Sequence, residues 1–101
     1  MGRYRRYGYV ISVKTHQKEH GMVSAENMGY HPNPKKAGKA VDTMIKNYIG
    51  GSSKGIVLRD DQFQNNQGYP GEVVRTVLIE YPDGALTTIV IERWFVVVGR
   101  E

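Results

Sequence analysis

Apolar and polar residues alternate from the start of the chain. Tyr7, Tyr9, Ile11 and Val13 share one parity, and Gly8, Val10, Ser12 and Lys14 the other, which predicts a strand over Tyr7 to Lys14. From Thr15 to Pro32 the pattern is polar, with weak apolar content at Met22, Val23 and Met28; a short strand and a turn of helix both fit it. The period then changes. Ala37, Ala40, Val41, Met44, Ile45, Tyr48 and Ile49 recur at three- and four-residue spacing while Lys35, Lys36, Lys39 and Lys46 fall off that stripe, so an amphipathic helix is expected over Pro34 to Ile49. Asn33 suits its N-cap, Pro34 its first position, and Gly50-Gly51 a left-handed stop.

After the connector GGSSKG, Gly50 to Gly55, Ile56 to Leu58 reads as a short strand and Asp60 to Gly71 as a polar loop exposing Phe63 and Tyr69. A hairpin closes the chain: Val73 to Tyr81, the turn Pro82-Asp83-Gly84, then Leu86 to Val98. Proline, aspartate and glycine in that order suit a type I turn finished by a left-handed glycine. If Tyr81 pairs with Ala85, then Ile79 faces Thr87 and Val77 faces Ile89. The expectation is one α+β domain over residues 1–101, with one amphipathic helix packed on an antiparallel sheet in the order β-α-β-β-β and a basic N-terminal arm at 1–6.

The last strand is too long for a compact domain of this size. At ~3.3 Å per residue, Ala85 to Val98 spans about 45 Å, against about 34 Å across for a compact chain of this length. Either the strand bends, with Glu92-Arg93 the expected place, or its end pairs with another chain. Trp94, Phe95, Val96, Val97 and Val98 are apolar at every position, which an exposed edge tolerates poorly; burial within the chain is the plainer reading, and self-association through Trp94, Val96 and Val98 is the alternative.

Charge adds a second asymmetry. Residues 1–54 hold ten Lys/Arg against three acids, a net of +7, and residues 55–101 hold four arginines against seven acids, a net of −3; all seven lysines lie between Lys14 and Lys54. An acidic partner for the front half is implied: nucleic acid, an acidic protein surface, or the acidic half of another copy. The absence of cysteine excludes disulfides, thiolate zinc sites and a cysteine nucleophile. No signal-peptide pattern and no apolar run of ~18 residues is present, so a cytoplasmic protein with no membrane partner is expected.

Two stretches suit a phosphate-bearing partner. Arg3, Tyr4, Arg5, Arg6 and Tyr7 interleave guanidinium groups, which bind phosphate bidentately, with rings that stack on unpaired bases. Lys35, Lys36 and Lys39 crowd a predicted helix N-terminus, where the macrodipole disfavours cations, so helix stability does not explain them and attraction of an anion does. The plainer readings are a solvated tail leading into core tyrosines, and solubilising surface lysines.

Other motifs carry less. His16-Gln17-Lys18-Glu19-His20 spells H-x-x-E-H, the pattern of inverted zinc peptidases, but lacks an apolar stripe and runs into Gly21. His16, His20 and His31 are weaker candidates for casual metal binding. Asp60, Asp61 and Glu72 have the chemistry for magnesium, and a solvated turn is the simpler account. A strand, a helical region and three C-terminal strands ending in VVVGRE resemble small RelE-type toxin ribonucleases; only the topology and that final strand carry the resemblance. It would draw on His16, His20, His31, Arg59 and Arg75 for acid–base and cationic groups. The chain has one clear helix where such toxins usually have two, and their catalytic positions do not map onto it.

The leading expectation is therefore a small non-enzymatic domain binding RNA or a single strand through Arg3, Tyr4, Arg5, Arg6, Tyr7, Lys35, Lys36 and Lys39, with no catalytic residue, metal or cofactor assigned. The alternatives are a phage- or plasmid-type accessory module docking on an acidic protein, then a RelE-like ribonuclease. A homo-oligomer formed through the C-terminal strand fits any of them.

Overall fold

The computed structural model describes residues 3–17, 19, 21–52, 54–62 and 71–99, with side chains described except at 3–7, 23 and 95–99. The elements are β1 (Arg3–Gln17), β2 (Gly21–His31), α1 (Pro34–Ile49), β3 (Ile56–Gln62), β4 (Glu72–Glu80) and β5 (Leu86–Gly99). The five strands form one antiparallel sheet in the order β2-β1-β5-β4-β3, with the helix on one face. The fold is α+β, and the order gains a strand over the sequence expectation. The polar stretch before the helix is β2, an edge strand with two register irregularities against β1.

The helix follows its sequence cues. The Asn33 side chain accepts a hydrogen bond from the Lys36 N–H at 2.8 Å, and Pro34 opens the first turn. At the other end Gly50 is extended and Gly51, at φ 58°, takes the left-handed conformation. Ala37 and Val41 are fully buried, with Ala40, Met44, Ile45 and Tyr48 packed beside them, while Ile49 lies at the rim of the stripe and is exposed.

The helix covers one parity of every central strand: Tyr9, Ile11 and Val13 of β1, Ile89 and Ile91 of β5, and Val77 and Ile79 of β4. Fully burying such a side chain contributes roughly 1.5–3 kcal/mol, so this single layer supplies most of the stability. The hairpin register agrees with expectation, with Ile79 opposite Thr87 and Val77 opposite Ile89. In its turn the Tyr81 N–H donates to the Ala85 carbonyl at 2.9 Å, and Gly84 sits at φ 87°.

Against β4 the long last strand meets a register shift between Val73 and Arg75, opposite Glu92 and Ile91, whereas against β1 its register is continuous. β5 pairs with β1 without a break from Leu86 opposite His16 to Gly99 opposite Arg3, passing Glu92 and Arg93 in step. β4 stops opposite Arg93 and β2 stops opposite Tyr9. Among the described residues, 3–8 and 94–99 therefore continue alone as a two-stranded ribbon of six pairs, roughly 20 Å at ~3.3 Å per residue. The molecule measures 54 × 26 × 24 Å, with a radius of gyration of 15.5 Å. Its long axis is the length of β1, so the expected compact outline is corrected, and residues 3–6 belong to β1 rather than to a separate arm. Among the described residues no helix is long and apolar enough to cross a membrane.

Candidate nucleic-acid interface

The direction of α1 decides which residues can act together. Its cap, Asn33, follows His31, which pairs with Tyr9. Its last turn lies at the other end of the core, where the Tyr48 carbonyl accepts from the Gly55 N–H at 3.1 Å and Gly55 abuts Ile79 and Tyr81. The helix thus runs with β1, and its N-terminus points toward the end of the sheet from which the ribbon continues. Lys35, Lys36 and Lys39 are all exposed there, and the first turn holds no acid. Arg3, Tyr4, Arg5, Arg6 and Tyr7 occupy the ribbon's β1 strand, in register with Gly99, Val98, Val97, Val96 and Phe95. The two basic stretches thus share one end of the molecule.

No described acid of the second half pairs with these lysines. Among the described residues the ion pairs are Arg59–Asp61 at 2.8 Å, Arg75–Asp60 at 2.8 Å, Arg75–Asp42 at 3.0 Å and Arg93–Glu72 at 3.2 Å. Every cation among them is an arginine from residues 55–101. The arginines of the second half that are described are held by carboxylates, and Lys14, Lys35, Lys36, Lys39, Lys46 and Lys54 are exposed.

Arg75 is a structural group for that reason. It shares the buried parity of Val77 and Ile79, and its Nε and Nη2 donate to Asp60 Oδ1 and Oδ2 at 2.9 and 2.8 Å. Nη1 reaches the Gly38 carbonyl of α1 at 3.3 Å. The hydrogen bonds to Asp60 hold the guanidinium above its ordinary range, against the opposing effect of burial, and Asp42 adds to them. Arg93, at the parity of Ile89 and Ile91, is buried with Glu72 and lies 5.8 Å from the Tyr9 ring centre. Sequence reasoning missed both networks. The available signal was a cation at core parity, which cannot be buried without a partner.

The catalytic and metal candidates do not converge. His16 lies seven residues along β1 from Tyr9, the partner of His31, which separates the two histidines by roughly 23 Å. Glu19 is in a turn and His16 in a strand, so the helix required by H-x-x-E-H does not form; His20 lies outside the described residues. Arg75 and Arg59 are taken by carboxylates. Asp60, Asp61 and Glu72 bind three different arginines, and among the described residues no three metal-ligating side chains cluster. Trp94 is exposed and donates to Glu92 at 3.2 Å; the side chains of Val96 and Val98, and the loop bearing Phe63 and Tyr69, lie outside what is described.

No family model, curated protein or solved structure matches the chain.

Proposed function

We propose that the ribbon end is a nucleic-acid-binding surface and that the domain binds rather than catalyses. The observation that supports this reading is the placing of two basic stretches at one end of the molecule: Lys35, Lys36 and Lys39, exposed on a helix N-terminus without acids, and Arg3, Arg5 and Arg6 on the ribbon's β1 strand. A helix N-terminus already attracts phosphate through its free N–H groups and dipole, and lysines around it add long-range attraction. RNA or a single strand suits the interleaved Tyr4 and Tyr7, whose rings stack on any unpaired base.

Fluorescence anisotropy with a labelled single-stranded RNA at ~50 mM salt tests it, since phosphate contacts release counterions and bind most tightly at low salt. Binding should weaken steeply as salt rises. Lys35→Gln, Lys36→Gln and Lys39→Gln together should lower the log–log salt slope by about 2, from ~0.7 per phosphate contact on a single strand. Absence of affinity for RNA and for DNA at that salt sinks the reading. Capture of a stoichiometric acidic protein that survives nuclease treatment would replace it with the accessory-module reading.

A further inference from the structure

We infer that two copies of this chain join through the edge of β5 that faces away from β1, at residues 95–99, making one four-stranded ribbon in the order β1-β5-β5′-β1′. The backbone sets the geometry. The Tyr81 N–H donates to the Ala85 carbonyl at 2.9 Å and the Gly71 N–H to the Arg93 carbonyl at 2.6 Å, so odd-numbered residues of β5 turn their peptide groups toward the β4 side. Past Arg93 no described strand lies on that side. Phe95, Val97 and Gly99 then turn three N–H and three C=O groups toward an edge that no described residue pairs, and whose sequence, from Trp94 to Val98, is apolar throughout. Edges of this kind are normally blunted with charge, proline or a bulge, and this one has none of the three.

The ribbon's other edge is blunted. There β1 carries Arg3, Arg5 and Arg6, and any pairing of β1 with its copy sets arginines opposite or beside arginines, which is unfavourable. Self-association is therefore directed to β5. An antiparallel two-fold pairing centred on Val97 places Val97 opposite Val97′ and Phe95 opposite Gly99′, using all the open groups at once. Other registers leave some idle or collide with Gly71, which already holds the Arg93 carbonyl. A two-fold contact of this kind closes on itself and does not propagate. It also sets the two arginine-bearing β1 strands on the outer edges, three strand spacings or about 14 Å apart. A nucleic acid bound at the basic end would then meet arginines from both copies, although the pairing itself does not depend on what that end binds.

The test uses the full chain, whose lack of cysteine makes introduced thiols unambiguous. Sedimentation equilibrium should give a dimer at micromolar concentration. Directly opposed strand residues lie within disulfide reach, so Val97→Cys should form a disulfide-linked dimer about a hundredfold faster than Lys46→Cys on the exposed helix face. Val97→Lys should be monomeric with an unchanged circular dichroism spectrum; should it fail to fold, the cysteine comparison decides. A wild-type monomer at ~100 μM, well inside the μM–mM range in which unpaired apolar edges associate, overturns the inference, and so does a dimer in which Val97→Cys oxidises no faster than Lys46→Cys.

Discussion

Arg75 joins three elements, and removing it should destabilise the fold in a graded way that the geometry fixes. Its side chain is 9% exposed, that of Asp60 31% and that of Asp42 59%. Breaking a buried ion pair by deleting one member costs about 3–5 kcal/mol. Because Asp60 and Asp42 can still reach water once released, Arg75→Ala belongs at the lower end, about 3 kcal/mol. Asp60→Ala removes two hydrogen bonds to a buried guanidinium and leaves it Asp42 and the Gly38 carbonyl, for about 2 kcal/mol. Asp42→Ala removes a solvent-screened contact, worth under about 1 kcal/mol. Urea denaturation reads these values, and with a slope of about 1–2 kcal/mol/M the arginine deletion should lower the midpoint by about 2 M. Double-mutant cycles should give an Arg75–Asp60 coupling of about 2 kcal/mol, well above that of Arg75–Asp42. Equal costs for the two aspartates, or an Arg75–Asp60 coupling below about 0.5 kcal/mol, would refute the assignment of Asp60 as the principal partner.

Two glycine substitutions should move stability in opposite directions. A Cβ on Gly55 would lie 2.7 Å from Ile79 Cγ2 and 2.8 Å from the Tyr48 carbonyl oxygen, so Gly55→Ala should cost about 2–3 kcal/mol in calorimetric melts. On Gly38 the nearest atom is Arg75 Nη1 at 4.0 Å, so Gly38→Ala should gain about 0.5–1 kcal/mol, and a loss there would contradict the packing described. Tyr48 has its pKa raised above the ordinary 10.0, first by burial and then by the charges of Tyr81 and Glu26. The stability it contributes is whole below pH 10 and is lost as pH climbs through the folded-state value. Tyr48→Phe should therefore flatten the alkaline fall in melting temperature above pH ~10, and an unchanged slope would remove Tyr48 as its cause.

The helix was legible to the residue because its cap, its proline and its stripe act locally. The closing hairpin was legible for a similar reason: its turn chemistry sets the register of both strands. β2 was not, since it is an edge strand whose Met22 and Met28 are exposed and whose irregular pairing breaks the alternation that a strand forecast needs. The pairing of Arg3 with Gly99 was illegible in principle, because nothing local to either residue names a partner 96 positions away. Among the site residues, the lysines and arginines announced themselves by charge alone. Their common location depended on the helix running parallel to β1, which pattern reading does not supply. Arg75 and Arg93 were visible as charges but not as buried ones, because their carboxylate partners come from other elements.

The ladder between β1 and β5 also has a consequence in time. The sheet consists of two locally connected pieces, the β1–β2 hairpin and the β3–β4–β5 meander, and this ladder is what joins them. Each piece can begin to form on its own, but the helix has no complete surface to lie on until they meet. Contacts of such long sequence separation place the rate-limiting step at their docking, on the millisecond-to-second scale. During synthesis at about 5–20 residues per second, the first hairpin would wait on the order of ten seconds for residues 86–99 to be made. Through that interval the apolar parity of β1, at Tyr9, Ile11 and Val13, is uncovered.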